Sequence, residues 1–135
     1  MTTGARHGAR RLLVQALYQH QITASDVSAL RNQFSASNDF SKADGDYFYA
    51  LLDEVVQDPA ALDERIDAFA DRPVSQIDPV ERAILWIGVA ELRSYPDVPT
   101  RVVINEAVEL AKEFGAEDSH RYVNAILDGA AKDLR

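Results

Sequence analysis

Apolar residues recur every three or four positions along nearly the whole of this chain, and the strict alternation of a half-buried strand is almost absent. That periodicity restricts the fold to packed helices before any motif is considered. In a first helix over 5–21, Leu13, Ala16, Leu17 and His20 make one face. Arg11, Gln15 and Tyr18 make another, with Val14 at its edge. Ser25 or Asp26 can cap a short second helix ending near Phe34, and "SASND" (35–39) reads as a loop. A third helix over 41–57 has Phe48, Leu51, Leu52, Val55 and Val56 as its apolar face. Asp58-Pro59 and Asp78-Pro79 each join a cap to a first-turn proline, the signal of a helix start. The fourth helix carries the stripe Leu62, Ile66 and Phe69 and stops at Arg72-Pro73.

The fifth is apolar nearly all round, through Ile84, Leu85, Trp86, Ile87, Val89 and Leu92. It is expected to be central, with Trp86 in the core. Pro96 and Pro99 bracket a tight connection to a sixth helix with the stripe Val103, Ala107, Leu110 and Phe114. Gly115 suits a left-handed stop there. Asp118 or Ser119 would cap the last helix, whose Val123, Ile126, Leu127 and Ala130 face the core. The expectation is an all-α fold of about seven helices in two packed sub-bundles, about 1–58 and about 59–135, within one domain.

Signals for catalysis are missing. The chain has no cysteine, which removes disulfides, thiol nucleophiles and cysteine-based zinc sites. His7, His20 and His120 are far apart, and none sits in a two-ligand spacing. His20, on an apolar face, reads as a core or boundary histidine. Glu106, Glu109 and Glu113 read as a solvated helix face. No phosphate-binding loop, dinucleotide fingerprint or nucleophile elbow is present. No signal-peptide core or membrane span is found either. These features point to a soluble, cytoplasmic binding protein with no catalytic residues, metal or cofactor.

Charge singles out one end. The chain carries −8, yet residues 1–25 hold Arg6, Arg10 and Arg11 and no acid. Subtracting that +3 from −8 leaves −11 on residues 26–135. An acidic protein binds nucleic acid only through a local basic patch, and this is the one patch along the sequence. Arginine also matches phosphate with a planar fork. Tyr18, beside Arg11 and Gln15 and away from Leu13 and Leu17, suits base stacking or a protein hot spot. "HRYVN" (120–124) offers a similar mixture at a helix start, with Tyr122 off the apolar stripe.

The stretch "VVINEAVELAKEFGAEDSHRYVNAILD" (102–128) closely resembles the C-terminal signature of the NusB family of bacterial antitermination factors. "RRLLVQALYQ" (10–19) resembles that family's first helix, and "DPVERAILWIGVAEL" (78–92) its central one. The resemblance spans essentially the whole chain. It implies two packed helical bundles without enzymatic activity, and binding to boxA RNA of ribosomal operons. It also implies a heterodimer with the small-subunit ribosomal protein NusE and recruitment into an RNA polymerase antitermination complex. The family's RNA surface carries over onto Arg6, Arg10, Gln15, Asp118, Arg121 and Tyr122, and its NusE surface onto Tyr18 and Glu81. The family's arm is often a denser basic run. Here Gly4 and Gly8 interrupt it, and Gly8 costs roughly 1 kcal/mol of helix propensity against alanine. Two other readings are a protein-interaction module with little RNA binding, and a stand-alone relative of the helical domain of ribosomal RNA methyltransferases.

Overall fold

In the computed structural model, which describes residues 3–135, seven α-helices and two short 3₁₀ turns follow one another. The helices are α1 (Thr3–Thr23), α2 (Val27–Ser35), α3 (Gly45–Gln57), α4 (Pro59–Asp67), α5 (Pro79–Ser94), α6 (Thr100–Phe114) and α7 (Ser119–Leu134). No strand occurs among the described residues. None of the described helices is long and apolar enough to cross a membrane.

The starts follow local chemistry. Carboxylates of Asp26, Asp44, Asp58 and Asp78 accept backbone N–H groups that α2, α3, α4 and α5 leave open. Asp44 begins α3 three residues later than its apolar pattern suggests, because 38–42 winds as a 3₁₀ turn and places Phe40 edge-on to Phe48. Asp118 occupies the cap position of α7 without a side-chain hydrogen bond, and Ser119 is buried inside the first turn.

The stops depart from expectation. Gly115 is extended at φ −94° and ψ −180°, not left-handed. Glycine is required there by space, since a Cβ would lie 2.8 Å from both the Ala111 carbonyl oxygen and the Ser119 Cβ. The left-handed residue is Ala24, at φ 57°, just after α1. The fourth helix ends at Asp67, short of Arg72-Pro73, and the Asp67 carboxylate accepts the Val74 N–H across the turn. Phe69 therefore leaves the Leu62–Ile66 stripe and sits half-exposed in a notch at Gly129, where a Cβ would collide with its ring.

α5 is the hub, packed on α1, α3, α4, α6 and α7. Its residues 83–92 are all buried, Trp86 included. The Trp86 indole N–H donates to Asp63 at 2.7 Å. α1 packs on α2 and α3 on one side and on α5 and α6 on the other, while α6 and α7 close over α5. At the far end of α5 the Arg135 guanidinium donates to the carbonyls of Glu91, Leu92, Tyr95 and Val98. These include carbonyls that the end of the helix leaves without intrahelical partners.

Candidate nucleic-acid and protein interface

The three N-terminal arginines face three environments: Arg6 and Arg10 share one face of α1 a turn apart, both over Tyr47, and Arg11 points to another side. Arg10 precedes Leu13 by three residues and Leu17 by seven, so it shares their buried face. It is 2% exposed. Its Nε and Nη2 grip both oxygens of Glu91 at 2.9 and 2.8 Å, and Nη1 donates to Glu106 at 2.8 Å. The Tyr47 hydroxyl donates to Glu91 at 2.6 Å, and His7 meets Glu106 at 3.1 Å. Burial alone would lower the Arg10 pKa, but hydrogen bonding and charge from Glu91 outweigh it and hold the group above its ordinary value. Burial, helped by Glu91, pushes the Tyr47 phenol well up. The expectation that Arg10 faces RNA is thus corrected: the guanidinium is the cation of a buried ion-pair network and presents nothing to a phosphate. Nor is Glu106 part of a solvated face, since it closes that network.

Arg11 lies along the surface with Glu113 at 2.6 Å, and its guanidinium sits over Phe114. Arg6 is the most open of the three. It is 44% exposed over its side chain, stacks on Tyr47 at 4.5 Å and reaches Asp44 only at 3.8 Å.

Tyr18 and Gln15 wall a groove of about 520 Å³ together with Val14, Ile22, Val80 and Phe114. Tyr18 is 42% and Ile22 58% exposed, so large apolar surface meets solvent here. Gln21 donates to the Pro79 carbonyl at 2.8 Å and ties α1 to the start of α5, where the half-buried Glu81 lies. Gln15, expected among the RNA residues, therefore shares its groove with Tyr18, expected among the partner residues. Ile22 escaped the sequence reading because the first helix was ended at 21. It follows Tyr18 by four residues, so extending the helix one turn reveals it. His20 donates from Nδ1 to the Ser25 carbonyl at 2.7 Å, as a boundary histidine does.

Asp118 and Arg121 are exposed at the start of α7, and Arg121 has no ion pair among the described residues. Tyr122 is half-buried. Its hydroxyl is buried beside the Asp71 carboxylate, and Arg72 covers its ring at 4.6 Å. Burial raises the Tyr122 phenol, with Arg72 acting against that shift and Asp71 with it. Among the described residues no ion pair or ring contact joins this group to Arg6.

Comparison with known proteins identifies relatives of the whole chain. Residues 7–132 match the NusB family. The chain is 50% identical over 134 residues to the transcription antitermination protein NusB of Alcanivorax borkumensis, covering 99% of this chain and 89% of that relative. A structure of NusB from T. maritima superposes with a TM-score of 0.85 at 25% identity, covering 98% of this chain and 94% of the other. A crystal structure of the antitermination factors NusB and NusE in complex with dsRNA gives 0.84 at 23% identity, covering 98% and 99%, which shows a shared fold.

Proposed function

This chain belongs to the NusB family, and from that premise we propose that it is a transcription antitermination factor. On this reading it binds boxA RNA of ribosomal operons jointly with NusE and enters an RNA polymerase complex that reads through terminators. It acts in the cytoplasm, by binding and without enzymatic activity or cofactor. The observation that carries the reading is the open apolar groove of Tyr18 and Ile22, lined also by Val80, the residue before Glu81, and by Phe114 at the end of α6. Exposed apolar surface rimmed by polar groups is the mark of a protein-binding site. A protein partner and an RNA strand can then occupy neighbouring parts of one face.

Tyr18, Ile22 and Glu81 form the NusE surface, with Glu81 available to a basic group of that partner. Arg6, Arg121 and Tyr122 form the RNA surface, flanked by Asp118, and Gln15 stands on the border. The two sub-bundles, about 1–58 and about 59–135, meet along α1 and α5. Each arginine that neutralises a phosphate adds about −0.7 to the salt slope on a single strand. Arg6 and Arg121 alone give roughly −1.4, so NusE supplies much of the affinity.

The test is titration of labelled boxA RNA with and without NusE at two salt concentrations. Binding should tighten with NusE and weaken with salt. Tyr122→Asp should weaken RNA binding about tenfold, the scale of one lost base stack, while NusE affinity stays within about twofold. Glu81→Lys should do the reverse. Absent or salt-insensitive RNA binding by an intact NusE complex would leave a protein-interaction module only. Equal losses in both assays for both variants would overturn the division into two surfaces.

A further inference from the structure

We propose that Arg72 is a further RNA contact of this chain, standing in front of Tyr122 and receiving the phosphate of the nucleotide that docks there. The proposal rests on the RNA reading of Tyr122 given above. Three observations carry it.

Tyr122 cannot use its hydroxyl at the surface, because that oxygen is buried. Only the ring is left to offer, and the Arg72 guanidinium lies over it at 4.6 Å. Any base that approaches this ring therefore meets a stacked guanidinium first. A guanidinium plane is itself a platform for an unstacked base, and its edge donates to phosphate oxygens in pairs.

The turn that presents Arg72 is built rather than loose. Asp67 accepts the Val74 N–H at 3.1 Å across its base. The N–H groups of Phe69 and Ala70 both return to the Ile66 carbonyl. Phe69 is seated against α7 in the notch at Gly129. Pro73 follows Arg72 directly and fixes the backbone on its far side. The side chain is thus held at the start of α7, over Tyr122.

What restrains Arg72 is easily exchanged. Its ion pair is with its sequence neighbour Asp71, at 2.8 Å, and both side chains are largely exposed. Hydrogen bonding between them raises the arginine and lowers the aspartate from their ordinary values. An exposed pair of this kind is weak, and a phosphate can replace the carboxylate with the same geometry.

The experiment compares wild type, Arg72→Ala, Arg72→Lys and Tyr122→Asp in the NusE complex, by titration of labelled boxA RNA across a salt series. Arg72→Ala should weaken RNA binding roughly fivefold to twentyfold and make the salt slope shallower by about 0.7. Its melting temperature should match wild type, because the side chain is exposed, and NusE affinity should change less than RNA affinity, with Glu81 the one NusE-side group within reach of its charge. Arg72→Lys should restore the slope but only part of the affinity, since lysine keeps the charge and loses the planar fork. Unchanged affinity and slope in Arg72→Ala, with Tyr122→Asp still impaired, would overturn the role of Arg72 alone. Tighter binding by Arg72→Ala would overturn it too, by showing the arginine to be a cover that RNA must displace. No effect of Tyr122→Asp would instead bring down the RNA reading of α7 on which the proposal stands.

Discussion

Two arginines four residues apart share a face of α1 and have opposite fates, because only the second stands level with Glu91 and Glu106. Arg6 projects beside the Tyr47 ring into solvent, while Arg10 enters the core and meets Glu91. The position of Arg10 on the Leu13–Leu17 face was readable from spacing. What the sequence could not disclose was the partner, because Glu91 and Glu106 come from distant helices and look like ordinary helix-surface acids. The acid-free N-terminus gains a structural cause as well, since Asp44, Glu91, Glu106 and Glu113 supply the opposite charge from elsewhere. A buried charge that loses its partner is costly, so Glu91→Gln should destabilise the fold by about 3–5 kcal/mol in urea unfolding. Tyr47 adds a pH dependence. Its folded phenol titrates well above the unfolded value of about 10. The unfolded chain therefore loses that proton first as pH rises. The contribution is complete below about pH 10 and declines above it. Tyr47→Phe should be less stable than wild type at pH 8 and should lose less stability between pH 9 and 11. A parallel decline in the two proteins would exclude Tyr47 as the source.

Helix starts were legible because an aspartate followed by proline acts within a few residues, and α4 and α5 begin where that signal stands. Helix ends depend on what lies across the gap. Phe69 continues the stripe of α4 by spacing, yet the notch at Gly129 on α7 draws it away, and no local pattern records that notch. Gly115 was assigned to the right place for the wrong reason. Its lack of a side chain matters for the approach of Ser119, and the left-handed turn belongs to Ala24. Glycines inside helices divide in the same manner. A Cβ at Gly8 would rest 3.5 Å from the Ala43 Cβ, an ordinary contact, whereas one at Gly88 would press to 2.7 Å on the buried Leu127. Gly8→Ala should therefore stabilise by about 1 kcal/mol through helix propensity. Gly88→Ala should cost about 1–3 kcal/mol through overpacking where α5 crosses α7. Thermal melts of the two variants check both signs.

For the molecule as a whole, fold class was the most legible property, because periodicity reports how each helix buries one face. The groove between α1 and the start of α5 was not legible, since it exists only where two distant segments leave space. Tyr18 indicated it, and Ile22 forms its most exposed wall. Ile22→Glu should cut NusE affinity at least tenfold and leave the melting temperature within about 1 °C, as expected for an exposed position. A normal NusE complex with this variant would move the partner off the groove.

The burial of Arg10 also bears on the order in which the chain can assemble. Its counter-charges lie 81 and 96 residues further along. Until both have been synthesised and brought back, α1 cannot bury this face without stranding a cation. The segment 1–58 has the helices of a small bundle but neither of the acids that pair with Arg10. Contacts so distant in sequence carry a loop-closure cost that contacts within a helix do not. The placing of α1 thus depends on acids drawn from α5 and α6, far along the chain.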